Sequence, residues 1–417
     1  MLGDKPHCTV VGAGIVGITI GIDLLQRGFS VTLIDPNGPA SMTSSGNAGG
    51  FGVTEVMPVA GPGMVWRIPS WLMDPRGPLA IRWKHLPAIY PWLAHFLKVS
   101  KREEVNRIAG VMSGFLAECM TDSRKLFVDA GLAHLLTEKG ALTVYRSRAA
   151  FVKDRLEWEV KQKHGIRLEY LNQQQINEME PALVNANHGW FTPDWCNTID
   201  PYRLGVGLFS WYQRLGGKSV KDEVVRFSTE GSYPDGVIMK SGASLASDRI
   251  VIAAGAWSKS LCHQLGERVL LESERGYNAT LPDPNVYLDK QVIFGEEKFV
   301  ISNIGNGIRI GGAAEFAGLD APPNYRRSER LVEIAKTYLP KLNSQGSQNW
   351  MGHRPSTPDS MPVISPSEKY PHVYYAFGHG HLGLTMAATT AKLLGQMMVA
   401  KKPAFNPLPF HINRFSR

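Results

Sequence analysis

A chain of 417 residues is too long for one ordinary core and suggests about two domains, at ~150 residues each. With 43% apolar and 20% charged residues it reads as globular, and no apolar run reaches the ~20 residues of a membrane span. The net charge of +8 is spread over dispersed Lys and Arg without a nucleic-acid module, so nucleic acid is not an expected partner.

The cysteines (Cys8, Cys119, Cys196, Cys262) show no CxxC pair or metal-ligand spacing, so neither a disulfide framework nor a metal is expected. The first ordered element is a strand at Thr9–Val11, which leaves no room for a removable leader, and the cytoplasm is the expected compartment. The chain then reads Val10-Val11-Gly12-Ala13-Gly14-Ile15-Val16-Gly17, with Ile15, Ile18, Ile22 and Leu25 at helical spacing before Gly28. A second strand, Val31–Ile34, ends at Asp35. This is a dinucleotide fingerprint in strand–turn–helix–strand context. Gly12 turns the backbone, Gly14 admits a pyrophosphate, Gly17 lets the helix pack closely, and Asp35 can accept from a ribose hydroxyl. At this point the nucleotide could be NAD or FAD.

Segment 64–97 mixes Trp66, Trp71, Trp83 and Trp92 with Arg67, Arg76, Arg82 and Lys84, and Lys98 follows it. That mixture suits either a peripheral contact with the inner face of a membrane or a proline-punctuated covering over a core. Helices are expected at Val105–Ala130 and Ala149–His164. Arg249–Ile252 reads as a buried strand opening into a glycine turn and helix, and residues 266–345 as β-rich. Within that region Gly305-Asn306-Gly307 separates two strands. Strand Val373–Phe377, turn Gly378–Gly383 and helix Leu384–Val399 close the chain. The expected fold is α/β. A Rossmann-like nucleotide domain (1–55, 195–265, 346–417) is interleaved with an α+β substrate domain (56–194, 266–345) on a largely antiparallel sheet.

These segments together resemble the D-amino-acid oxidase-like superfamily of FAD-dependent oxidoreductases, most closely bacterial D-amino-acid dehydrogenases and hydroxyproline/proline-type dehydrogenases. Besides the fingerprint, the likeness rests on Ser44-Ser45-Gly46-Asn47-Ala48-Gly49-Gly50, Ala253-Ala254-Gly255-Ala256-Trp257, Gly352-His353-Arg354-Pro355-Ser356-Thr357-Pro358-Asp359 and Gly378–Thr385. It implies FAD contacts from the fingerprint residues Gly12, Ala13, Gly14, Ile15, Val16 and Gly17, followed by Asp35 and Pro36. The loop adds Ser44, Ser45, Asn47, Ala48 and Gly49. Farther along come Val224, Ala253, Ala254, Gly255, Trp257 and Gly352, and finally Gly380, His381, Leu382, Gly383 and Thr385. Sarcosine oxidase-like members attach the flavin through a cysteine where this chain has Gly352, so the resemblance implies noncovalent FAD.

The implied reaction moves a hydride from a substrate Cα to flavin N5. Arg354 is the expected carboxylate clamp, because a guanidinium fork matches a carboxylate, with an interdomain salt bridge as its structural alternative. Tyr277 either orients the substrate or is a core tyrosine. His353 and His381 are placed beside the substrate, and hydrogen bonding to backbone is the commoner use of such histidines. Arg275 is a weaker second clamp. A helix opening at Leu382–Thr385 would offer its positive end to the reduced flavin.

The expected function is oxidation of the Cα–N bond of a D-amino acid or a cyclic imino acid of the proline or hydroxyproline kind. Electrons would pass to a quinone, an electron-transfer protein or oxygen. The alternatives are a glycine/sarcosine-type oxidase and, in another class, a non-catalytic flavin-containing binding module. One fingerprint without a second GxGxxG argues against docking of NAD(P)H.

Overall fold

The computed structural model describes residues 5–62, 79–229, 233–305, 307–403 and 405–415. Strands His7–Val11 and Ser30–Ile34 pair in parallel across helix Ile15–Gln26. Past their first residues both strands are buried on both faces, with Thr9 and Thr32 satisfied by hydrogen bonds to Ser247 and His7, as in a sheet covered on both sides. Arg249–Ile252 adds in parallel to His7–Val11, Val373–Phe377 follows in parallel, and Val363–Pro366 closes that edge antiparallel. Lys218–Val220 pairs in parallel on the other edge. All six strands come from the three segments expected to build the nucleotide domain.

The second large sheet is mostly antiparallel. It runs from Gln348–Ser356 through Glu272–Leu281, Gly307–Phe316, Phe299–Ile304 and Gln291–Phe294 to Ala141–Tyr145, His188–Thr192 and Glu169–Asn172. Leu79–Ile81 joins it beside Gly307–Phe316. Strand Gln348–Ser356, within the 346–417 segment, thus sits at the edge of this sheet and not with the parallel one. The expected helix at Ala149–His164 is two helices, Arg148–Lys153 and Arg155–Lys163. They part at Asp154, whose carboxylate accepts from Lys298 at 2.8 Å instead of capping the second helix.

Of the Trp-rich segment, Trp66, Arg67, Trp71 and Arg76 lie outside the described residues. Trp92 is buried, stacks on Phe96 and donates its indole N–H to the Ser356 carbonyl, which is the covering role. Trp83 is exposed, and Arg82 is paired with Glu315. No helix among the described residues is long and apolar enough to cross a membrane. The four cysteines are buried free thiols, and burial pushes their pKa values up, that of Cys119 to about 12. Such thiols are poor nucleophiles.

Candidate active site

The two sheets enclose a cavity of about 1870 Å³, well above the volume of an ordinary small-molecule site. It begins at the fingerprint. Gly12 has φ +110°, and a Cβ there would come within 2.4 Å of the Ala253 carbonyl oxygen. Gly17 packs so tightly that a Cβ would meet the Gly12 carbonyl oxygen at 2.0 Å. Gly14, by contrast, has only the Ser44 hydroxyl near it and faces the cavity. Ile15 donates its N–H to that hydroxyl at 3.0 Å. The following first-turn N–H groups have no helical carbonyl to reach, and they are suited to a pyrophosphate. Asp35 accepts from Ala13 and Asn37 backbone N–H groups and borders the same space, as does Pro36.

Loop 44–50 carries the cavity toward the antiparallel sheet, and three side chains from that sheet hold its carbonyls. Asn278 donates to Gly46, Gln291 to Ala48, and Arg309 to both Ser45 and Asn47. Burial lowers the pKa of Arg309, and Asp200 partly opposes this. None of these three was legible from a motif, because each lies in an unremarkable strand. Val224, Ala253, Ala254, Gly255, Trp257, Gly352, Gly380, His381, Leu382 and Gly383 also border the cavity, together with Gly12, Ala13, Ile15, Val16, Asn47 and Ala48.

Gly17, Ser45, Gly49 and Thr385 do not. Ser45 turns its hydroxyl to the Ser41 and Met42 carbonyls, and Gly49 packs on the Thr198 carbonyl. Buried Thr385 accepts the Gly52 N–H at 3.0 Å, which ties the last helix to loop 50–55. These four residues shape the cradle from behind. At Gly352, a Cβ would lie 2.0 Å from the Trp350 ring, and a Cβ at Gly46 would meet the same ring at 2.3 Å. The position where a flavin-attaching cysteine would stand is thus filled by a neighbouring indole.

The far end of the cavity is set by register. Gln348–Ser356 pairs antiparallel with Glu272–Leu281 so that Arg354 lies opposite Glu274 and Gly352 opposite Gly276. Cross-strand partners share a face. Arg354 Nη1 donates to Glu274 Oε1 at 2.8 Å, and Ser356 donates to Glu274 Oε2 at 3.1 Å. The guanidinium lies across Gly276, where a Cβ would come within 2.5 Å of Nη2. Among the described residues Nη2 and Nε have no recorded protein partner, and they form the edge that takes a carboxylate bidentately.

Alternation sends the intervening residues to the opposite face. Arg275 is fully buried and donates to the Gly318, Ala321 and Pro322 carbonyls, so its role is structural. Tyr277 borders the cavity, yet its side chain belongs to the second core. Its hydroxyl donates to Glu315 at 2.6 Å and accepts from the Asn324 N–H. Burial and the Glu315 carboxylate raise its pKa. Both hydrogen-bonding partners of the Tyr277 hydroxyl are thus within the protein, in keeping with the core-tyrosine alternative.

His353 is hydrogen-bonded to Ser273 at 2.7 Å and meets Trp257 edge-on. Burial, reinforced by Arg275, pulls its pKa down to about 4, so it is a neutral structural residue. His379 is likewise buried against Thr390, with its pKa pulled down to about 3 by burial. His381 borders the cavity as well and is the more exposed of these three histidines. Enclosure by the walls lowers its pKa, Glu55 and Glu274 oppose this, and Arg354 and Lys161 add to it.

A parallel nucleotide sheet, a phosphate cradle and an arginine-bearing far wall in one continuous cavity define a dinucleotide-dependent oxidoreductase. Its sequence matches the family described as FAD dependent oxidoreductase over residues 7–397, and the chain belongs to that family. It is an enzyme whose cofactor is FAD, and the cradle fits that group. The chain is 34% identical over 417 residues to a D-amino-acid oxidase of Bradyrhizobium diazoefficiens, covering 98% of this chain and 99% of that protein. A D-amino acid dehydrogenase of the same organism is 29% identical over 418 residues, covering 98% of each. In structure it is similar to glycine oxidase from Geobacillus kaustophilus, with a TM-score of 0.75 at 20% identity, covering 98% of this chain and 99% of that one.

Proposed function

We propose that this enzyme oxidises the Cα–N bond of a D-amino acid or a cyclic imino acid, with Arg354 as the carboxylate clamp. The observation that carries the reading is the free Nη2–Nε edge of Arg354, held toward the cavity by Glu274 on its other side. Curated relatives named for D-amino acids support the substrate class. FAD, which the Gly12–Val16 turn and loop 44–50 would hold, would supply the two-electron oxidation, and the product would be an imine that hydrolyses to a keto acid or stays as a cyclic imine.

The protein's own part is placement. Arg354 fixes the carboxylate, and the fixed carboxylate in turn limits where Cα can stand. Glu274 occupies one nitrogen of the guanidinium and prevents it from swinging away. His381, kept neutral by its surroundings, can accept a proton from the substrate ammonium, which must lose one before its lone pair forms the C=N bond. The first turn of helix Gly383–Met398 has no acidic residue, and it opens beside the cavity at Gly383 and Leu384, after the Leu382 N–H has been taken by the His379 carbonyl. That favours negative charge on a bound ligand.

The test is anaerobic mixing of the yellow holoenzyme with D-amino acids, D-proline and D-hydroxyproline. Loss of flavin absorbance with at least one of them is expected, and no bleaching with any amino or imino acid overturns the reading. In a separate aerobic assay, peroxide release set against reduction of a quinone or dye separates oxygen from the other acceptors.

A further inference from the structure

We infer that Glu55 is a specificity-determining residue that selects substrates carrying a cationic group on the side chain, an ammonium or guanidinium. This inference rests on the proposed function, since it assigns a second part of the wall of the same cavity.

Glu55 follows the short strand Gly50–Phe51 and borders the cavity. The backbone leading to it is fixed by the Gly52–Thr385 bond and by close packing of Gly52 against Leu382. Its Oε1 accepts from Lys161 at 3.2 Å, and no partner is recorded for Oε2 among the described residues. Lys161 is 2% exposed, lies over the Trp158 ring, and is shared with Glu157 at 3.0 Å. A lysine buried to this degree is costly unless paired, and here its ammonium is enclosed by two carboxylates and an indole. It therefore acts as a fixed post that sets the position of Glu55.

Burial would raise the Glu55 pKa, but the Lys161 ammonium first, with His381 when it is protonated and then Lys298, outweighs this and holds it below the usual range. The carboxylate is therefore ionised within the cavity. Lys298 is already paired with Asp154. Within these ion pairs the three carboxylates Glu55, Glu157 and Asp154 are set against the two ammoniums Lys161 and Lys298, and one negative charge is left over. At the clamp end, Arg354 and Glu274 neutralise each other. Enclosure lowers the pKa of His381, which also borders the cavity, and this favours its uncharged form. Lys153, Lys163 and Arg102 also border the cavity but are exposed, where water screens them. A substrate whose carboxylate takes the free edge of Arg354 and whose side chain ends in a cation meets hydrogen-bond donors at one end and the surplus negative charge at the other.

The probes are pairs of carboxylates that lack an α-amine and cannot be oxidised: 4-aminobutanoate against butanoate, 5-aminopentanoate against pentanoate, and 6-aminohexanoate against hexanoate. Binding to the holoenzyme is followed by perturbation of the flavin spectrum. At least one amino member is expected to bind about tenfold tighter than its neutral partner in the wild-type enzyme. Glu55→Gln, nearly isosteric, is expected to bring that ratio close to one. Equal or weaker binding of every amino member, or a preference unchanged in Glu55→Gln, overturns the assignment. The wild-type comparison needs no variant to fold. Preference without bleaching by any amino acid would leave the Glu55 site standing while the oxidation reading fails. Bleaching by D-norleucine with no preference for the amino probes would do the reverse.

Discussion

At the scale of single residues, the site depends on which edge of Arg354 is free. Arg354→Met removes both the pairing with Glu274 and the fork offered to the substrate, while the cradle at Gly12–Gly17 lies elsewhere in the cavity. The variant should stay yellow and show a KM raised roughly a hundredfold, because losing one member of a desolvated charge pair costs about 2–5 kcal/mol. Steady-state kinetics beside a flavin-to-protein absorbance ratio checks this, and an unchanged KM would remove Arg354 from the clamp role. Gly276→Ala is a finer probe. Its Cβ would intrude on the guanidinium at 2.5 Å and push the fork out of line without removing any charge. Misplacement of that size should lower kcat/KM by about ten- to a hundredfold with FAD content unchanged.

At the scale of elements, loop 44–50 is where sequence and structure inform each other most. Its glycines and Asn47 were visible as a motif, since Asn47 makes the local bonds to Ser44 and Gly49 that such turns use. The side chains that pin it arrive from strands more than two hundred residues away, and no local pattern announces them. The same distinction runs through the site. The strand–turn–helix at Gly12 was legible because its periodicities and glycines are adjacent in the chain. The opposition of Glu274 and Arg354 was not, because it is a fact of register between two strands, and the same alternation carried Tyr277 into the second core. Glu55 and Lys161 were also missed, since a Glu and a Lys in separate segments give no signal until the fold brings them together.

Arg309→Met tests the pinning directly. It leaves the Ser45 and Asn47 carbonyls without their donor, a loss of about 1–3 kcal/mol per buried group. The apoprotein variant should bind FAD at least about tenfold more weakly in a fluorescence titration. Unaltered affinity would mean that the loop is fixed by its own turns.

At the scale of the whole molecule, the two buried neutral histidines make stability depend on pH. Burial holds His353 at about 4 and His379 at about 3, whereas both titrate near ~6.5 in the unfolded chain. Below that value the unfolded state binds more protons than the folded one, so stability falls with falling pH. The contribution is intact above about pH 6.5 and is lost progressively down to the folded-state values. For His353 the interval corresponds to on the order of 3 kcal/mol. Glu55, with a lowered pKa, adds a further loss at more acidic pH, because its charged form is favoured in the fold. The melting temperature of the holoenzyme should therefore drop steeply between pH 6.5 and pH 4.5, before most carboxylates have titrated. In His353→Gln the slope across that window should be shallower, since an amide can still bond to Ser273 but takes up no proton on unfolding. Equal slopes in the two proteins would show that His353 is already protonated in the fold, and its place as a neutral support behind the arginine clamp would fall with it.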